Sequence, residues 1–260
     1  MKGNLAFALA VVLMAVGLWL SIGLGTPQIW LFGVGLIGLV GISAESYLDQ
    51  PSTGETRDRY QAFTLWIAPG LLVVSGLWLM QIMPPDNQLL PAAGLAAVMG
   101  LLLVSLKASL SPGDRFHRQA RFVANLILYL IVFALFALIY HTKERSLFTA
   151  TSIGVVALLA ALEVLRLGQG TPEPGWRLSL LAALVVSETT WALNYWPVSG
   201  LVGGAMLLLT FYVFAGLILA IQEGGIERRL VTEYCSVGVA GLLVVAWAMM
   251  SYGEINGWNE

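Results

Sequence analysis

The stretch RFVANLILYLIVFALFALIYH, residues 121–141, decides the class of fold. Every residue from Leu126 to Tyr140 is apolar, and a single amide, Asn125, precedes that run. A helix needs about 20 predominantly apolar residues to cross a bilayer, whereas the strands of a membrane barrel alternate apolar and polar residues over short segments. The stretch therefore predicts a transmembrane α-helix.

The same composition extends over the whole chain. Of its 260 residues 58% are hydrophobic and 11% are charged, and the mean hydropathy is +0.82, whereas about 25% of residues are charged in soluble proteins. We predict an all-α integral membrane protein with nine transmembrane helices, the first of them retained rather than cleaved as a signal peptide. Their expected ranges are 4–24, 28–48, 62–83, 88–108, 121–141, 147–167, 177–196, 199–221 and 230–252. Turn-forming residues separate the spans, and Pro69-Gly70 within the third is expected to kink the helix rather than end it.

The direction of the spans follows from the basic residues, because Lys and Arg concentrate in cytoplasmic loops. With the N-terminus inside, only Lys143 and Arg145 of the 13 basic residues fall outside. The other eleven fall on the inside; they are Lys2, Arg57, Arg59, Lys107, Arg115, Arg118, Arg121, Arg166, Arg177, Arg228 and Arg229. This asymmetry predicts an N-terminus in the cytoplasm and a C-terminus outside.

Spans two to five resemble spans six to nine, which indicates an internal duplication. Val73-Val74-Ser75 with Trp78 matches Val185-Val186-Ser187 with Trp191, and Glu45 matches Glu163. Chance similarity between apolar helices is the alternative. Two copies of four spans enter the membrane from the same side, so we expect one helix plus a parallel 4+4 repeat. The predicted divisions are a first helix (1–27), repeat A (28–141), repeat B (142–252) and an outer tail (253–260).

Glu188 is the clearest candidate for a site, because it is expected near the middle of the seventh span. A carboxylate at bilayer depth costs several kcal/mol unless it is paired, protonated or hydrated. The functional hypothesis is a ligand-binding or proton-coupling group; the structural one is a neutral Glu hydrogen-bonded to a neighbouring helix. The candidate ligand-binding residues are Glu188, Thr190, Trp191, Asn194, Trp196 and Trp78.

Two further patterns bear on these candidates. Most tryptophans fall toward the predicted outer side, which indicates either a one-sided aromatic belt or an outward aromatic groove near Glu188. Near the inner ends of spans, Glu163 is spaced to pair with Arg166 and Glu233 with Arg229 on shared helix faces. We interpret those four residues as interfacial ion pairs.

The remaining chemistry excludes several functions. His117 is expected in an inner loop and His141 at an outer helix end, and every Lys lies at or outside the end of a span, so we expect no haem, retinal or metal. No cofactor is predicted, although bound lipid, carotenoid or quinone needs no special ligand residue. With a net charge of −2 we expect no basic surface that could bind nucleic acid.

The C-terminal half carries the motifs Trp191-Ala-Leu-Asn-Tyr-Trp-Pro197, Gly203-Gly204, Phe211-Tyr-Val213, Gly216 and Glu233-Tyr234. With these it resembles an uncharacterised family of bacterial multi-pass membrane proteins. The resemblance implies the bacterial cytoplasmic membrane and no catalytic residues.

Three functions remain open from the sequence. The first is a non-catalytic membrane protein that packs with lipidic ligands, other membrane subunits or further copies of itself. The second is a small-molecule or lipid transporter or channel with a site near Glu188. The third is a lipid-modifying enzyme with Glu188 as its acid or base.

Overall fold

The computed structural model describes most of the chain, and all its regular structure is helical. Eight helices have these bounds: α1 Lys2–Leu20, α2 Gln28–Leu48, α3 Arg59–Ile82, α4 Leu89–Ser109, α5 His117–His141, α6 Ser146–Leu167, α7 Pro172–Leu193 and α8 Gly200–Gln222. Residues 232–241 form a further helix, α9. The described residues are 2–25, 27–48, 59–84, 87–110, 115–142, 146–167, 172–196, 198–222, 232–241 and 243.

Seven of these helices are long and apolar enough to cross a membrane: α1 to α6 and α8. α7 is not among them, because Arg177, Glu188 and several hydroxyl residues lower its hydropathy. The predicted ninth span, 230–252, lies largely outside the described residues, as does the tail 253–260. The architecture is that of several apolar helices consistent with an integral membrane protein.

The surfaces of the helices match a lipid solvent. On α2, for example, Leu31 is 75% exposed while Leu36 is 4% exposed. In water a face of exposed leucines would contribute no hydrophobic stabilisation and would favour aggregation, whereas lipid tails are as apolar as Leu. Buried hydroxyls donate to carbonyls of their own helix, as Ser43 does to Leu39 at 2.8 Å, so no polar hydrogen is left unsatisfied there.

The first compact unit comprises residues 1–131. In it α1 packs against α2 and α4, and α2 packs against α3. Glycines permit these contacts: a Cβ at Gly41 would lie 2.6 Å from the Trp66 ring. α3 continues through Pro69, so the expectation that this proline does not end the helix is confirmed. The first helix ends earlier than predicted, at Leu20, because the chain turns through Gly23, whose φ of 85° favours glycine.

The second compact unit comprises residues 132–260, so the boundary falls within α5. α6 packs along α7, and α7 packs against α8. The C-terminal part of α5 meets α8 where a Cβ at Gly204 would lie 2.7 Å from Ala137 Cα. Nearby the Phe136 and Phe211 rings meet edge to face at 6.2 Å. The predicted division into repeats stays a prediction.

Candidate functional site

Small residues and an interhelical hydrogen bond hold the α6–α7 hairpin together. Ser187 Oγ on α7 donates to Ala150 O on α6 at 3.1 Å. Gly154, one turn further along α6, makes room for this hydroxyl, since a Cβ at that position would overlap Ser187 Oγ. The bond and the glycine together set the register of the two helices.

A groove of about 420 Å³ runs along this hairpin. Its lining extends from Leu147 to Leu158 on α6 and from Leu180 to Trp191 on α7. Each range covers 11 residue steps, or about 16 Å at about 1.5 Å per residue. Because the helices are antiparallel, Leu147 and Trp191 lie at one end of the groove. Apart from two hydroxyls and one carboxylate, the lining side chains are apolar.

The carboxylate is that of Glu188, and we call this cavity the Glu188 groove. Glu188 is exposed, and no described residue forms an ion pair or hydrogen bond with its side chain. Trp191 lies one turn further along α7 and is 57% exposed. The groove is therefore amphipathic: a carboxylate and an indole lie near one end, and aliphatic side chains line the rest.

Glu188 lies nearer a helix end than the sequence predicts. α7 ends at Leu193, five residues beyond Glu188, which is about 7.5 Å along the helix axis. The helix begins five residues before the predicted span, at Pro172, and it ends three residues early. The chain turns instead, with Trp196 N donating to Leu193 O at 2.9 Å immediately before Pro197, as helices commonly end before proline. The carboxylate is thus in the third of α7 nearest its C-terminus.

The other predicted ligand residues do not line this groove. Thr190 is buried and its hydroxyl donates to Val186 O at 2.7 Å. Asn194 follows the helix end, and its side-chain Nδ2 is buried without a partner among the described residues. Trp196 lies beyond the helix and is exposed. Of the predicted set, the structure brings only Glu188 and Trp191 together.

Trp78 lines a separate groove, within the first unit, between α2 and α3. This Trp78 groove has a volume of about 260 Å³. The Trp30 and Trp78 rings meet there edge to face, with centroids 6.2 Å apart. Its lining ends at Gln81 and includes no ionisable side chain. Gly76, the position that the predicted duplication aligns with Glu188, packs against α1, where a Cβ would lie 3.0 Å from Leu18 Cδ2.

The acidic residues at the predicted inner ends of the spans differ in their burial and in their hydrogen-bond partners. Arg166 donates to both carboxylate oxygens of Glu163, through Nε at 2.9 Å and also through Nη2. The predicted pairing of Glu163 with Arg166 is therefore present, with Glu163 completely buried and the Arg166 side chain 14% exposed. Glu233 is exposed, and its predicted partner Arg229 lies outside the described residues. Glu45, the counterpart of Glu163, accepts a hydrogen bond from Trp66 Nε1 at 2.9 Å.

The residues that sequence reasoning missed are Gly154 and Ala150 on α6. A small residue on each of two successive turns is the available signal, but such pairs are common throughout this chain. Within the described ranges, no group of three or more His, Cys, Asp or Glu residues could hold a metal ion.

A family described as "Protein of unknown function (DUF5656)" matches residues 3–248. The chain belongs to this family. The match confirms the resemblance to an uncharacterised family, and it covers nearly the whole chain rather than mainly the last spans. No curated protein and no solved structure matches the chain. Membership of the DUF5656 family therefore indicates no specific role, and the function must be argued from the groove.

Proposed function

We propose that this protein is a non-catalytic, multi-pass membrane protein that binds a lipidic ligand in the Glu188 groove. The observation that carries the proposal is the length of the groove, about 16 Å from its 11 residue steps on each helix. The hydrocarbon core of a bilayer is about 30 Å thick, so this length is about one leaflet. An alkyl chain lying along the hairpin would contact mainly apolar side chains.

The position of the polar groups supports the same ligand class. Glu188 and Trp191 lie toward the end of the groove at which α7 ends, and the remaining lining is mainly aliphatic. A molecule with one polar head and one apolar chain matches this order. The volume of about 420 Å³ is within the about 300–1,000 Å³ of typical small-molecule sites.

The membrane arrangement belongs to the same proposal. We place the chain in a bacterial cytoplasmic membrane with nine spans, arranged as one helix plus two parallel units of four. The N-terminus is inside and the C-terminus outside. In this arrangement Glu188 lies in the outer part of the bilayer, where a lipid head can reach it.

Transport is the second candidate. It is favoured by the presence of a groove in both units at equivalent helix pairs, with Trp78 and Trp191 at matching sequence positions. Transporters use internal repeats to build substrate sites. Binding in the Glu188 groove would be the first step of such a cycle.

An enzyme is the third candidate, and the geometry favours it least. Among the described residues that line the groove, Glu188 is the only one with an ionisable side chain. The two hydroxyls beside it already donate to backbone carbonyls: Ser187 to Ala150 and Thr151 to Leu147. A catalytic nucleophile would have to give up such a bond.

Photolabelling tests the binding proposal. The purified protein in dodecyl maltoside micelles is equilibrated with hexadecanol that carries a mid-chain diazirine, irradiated and mapped by peptide mass spectrometry. We expect labels in the segments 147–158 and 180–191, in excess of labels on the exposed faces of other helices. Uniform labelling over all exposed apolar faces would contradict a specific groove.

A matched pair of variants locates the bound chain. Leu184 lines the groove and Leu181 does not, although both are about half exposed on α7. Leu184→Trp fills the groove, so labelling of the two segments should fall to the background of the other helices. Leu181→Trp adds the same ring outside the groove and should leave labelling unchanged. If both variants label equally, the chain does not occupy the groove. Co-purification of another protein chain on this hairpin would favour a subunit interface instead.

A further inference from the structure

We propose that the Glu188 groove selects amphiphilic organic cations, molecules with an apolar body and one amine or quaternary ammonium group. This inference rests on the lipid-binding function proposed above and specifies the head group of the ligand. It is carried by the charge of Glu188, the position of Trp191 and the contrast with the Trp78 groove.

Glu188 supplies the charge complementarity. Its side chain has no ion-pair or hydrogen-bond partner among the described residues, although it is exposed on an apolar hairpin. Carboxylates at membrane depth are normally paired or hydrated. A ligand cation held against Glu188 would serve as the missing counter-charge, whereas an anionic head would be repelled. The ligand therefore carries a positive charge or none.

Trp191 favours a cation over a neutral head. It is three residues from Glu188, and side chains at this spacing are neighbours on one helix face, about 5–6 Å apart at Cβ. Indole is the best side chain for cation–π contact, which contributes about 0.5–1 kcal/mol at exposed sites. An ammonium group between the carboxylate and the ring would contact both. Glu188 and Trp191 therefore form the cation-binding end of the groove.

The Trp78 groove provides an internal comparison. It offers two indoles, Trp30 and Trp78, with Gln81 as its polar end, and its lining includes no carboxylate. The position equivalent to Glu188 is Gly76, which packs against α1. Preference for cations should therefore depend on residues of the second unit alone.

Competition with the photolabel tests the inference. Unlabelled tetradecyltrimethylammonium and tetradecanol, which share a chain and differ in charge, are titrated against the hexadecanol probe in dodecyl maltoside micelles. We expect the cation to halve labelling of 180–191 at a concentration at least about tenfold below that of the alcohol, a difference of about 1.4 kcal/mol.

Substitutions show which side chains produce the preference for the cation. Glu188→Gln should reduce the preference to the about 2- to 5-fold that Trp191 alone contributes, while labelling itself remains, and Glu188→Asp should keep a larger preference for the cation. Trp191→Leu should reduce the preference about 2- to 5-fold. Trp78→Leu and Glu233→Gln, which change an indole and an exposed carboxylate outside the groove, should leave it unchanged. Thermal unfolding of each variant verifies that it is folded.

The outcomes separate this inference from the proposed function. Specific labelling with equal competition by both compounds in the wild-type protein would overturn cation selectivity and leave lipid binding intact. A preference that stays at about tenfold or more in both Glu188→Gln and Glu188→Ala would also overturn it. Absence of specific labelling would overturn the proposed function itself.

Discussion

Gly154→Ala should destabilise the second unit through a single overlap. The added Cβ would collide with Ser187 Oγ, while its next contacts, Ser187 Cβ at 3.5 Å and Ala183 O at 3.7 Å, are ordinary. Ser187 Oγ must then move, and its hydrogen bond to Ala150 O at 3.1 Å is lost. The perturbation therefore tests the contact that sets the register beneath the Glu188 groove.

The magnitude follows from three effects. Overpacking a tight interface costs about 1–3 kcal/mol, and an interhelical hydrogen bond in a membrane contributes about 0.6 kcal/mol. Replacing glycine by alanine in a helix returns about 1 kcal/mol. The expected loss in the free energy of unfolding is about 0.6–2.6 kcal/mol.

A double-mutant cycle isolates the overlap. Ser187→Ala alone should cost about 0.6 kcal/mol, the value of the hydrogen bond. In Gly154→Ala/Ser187→Ala the obstructing oxygen is absent, so the pair should be more stable than Gly154→Ala alone. The coupling should be about 1.6–3.6 kcal/mol, the overpacking cost plus the hydrogen bond that both single variants lose. Gly38→Ala is the control, because a Cβ there meets nothing within 4 Å.

The assay is reversible unfolding in mixed micelles of dodecyl maltoside and sodium dodecyl sulfate, followed by circular dichroism. Additive costs for the two substitutions, within about 0.5 kcal/mol, would refute the predicted contact. Equal effects of Gly154→Ala and Gly38→Ala would do the same.

Two further predictions concern the buried ion pair and the topology. Arg166→Leu leaves Glu163 buried without its partner and should destabilise the protein by about 3–5 kcal/mol. The double variant Glu163→Leu/Arg166→Leu should recover most of that loss in the same unfolding assay. Equal stability of the single and double variants would show that the pair is not coupled. We expect activity from a reporter enzyme that works only outside the cytoplasm when it is fused after Glu260, because nine crossings from an inner N-terminus end outside. A cytoplasmic C-terminus would contradict nine spans.

Hydropathy predicted the existence and class of the helices well, because the length of a span is dictated by bilayer thickness. α2 has the predicted bounds, 28–48, and seven helices have the required length and composition. The bounds of α7 differed from prediction because polar residues interrupt its hydropathy and a turn ends it before Pro197. That difference moved Glu188 from the expected middle of the membrane toward a helix end.

Sequence alone determined the helical class, the membership of an uncharacterised family and two residues of the groove lining, Glu188 and Trp191, at i,i+3 spacing. Only the tertiary structure decided which helix faces them and which predicted site residues turn away, as Thr190 does. The physical reason is that lipid and protein interior are equally apolar, so the buried Leu36 and the exposed Leu31 cannot be told apart by composition. Pairing of α6 with α7 depends on the space left at Gly154, which no sequence period reveals.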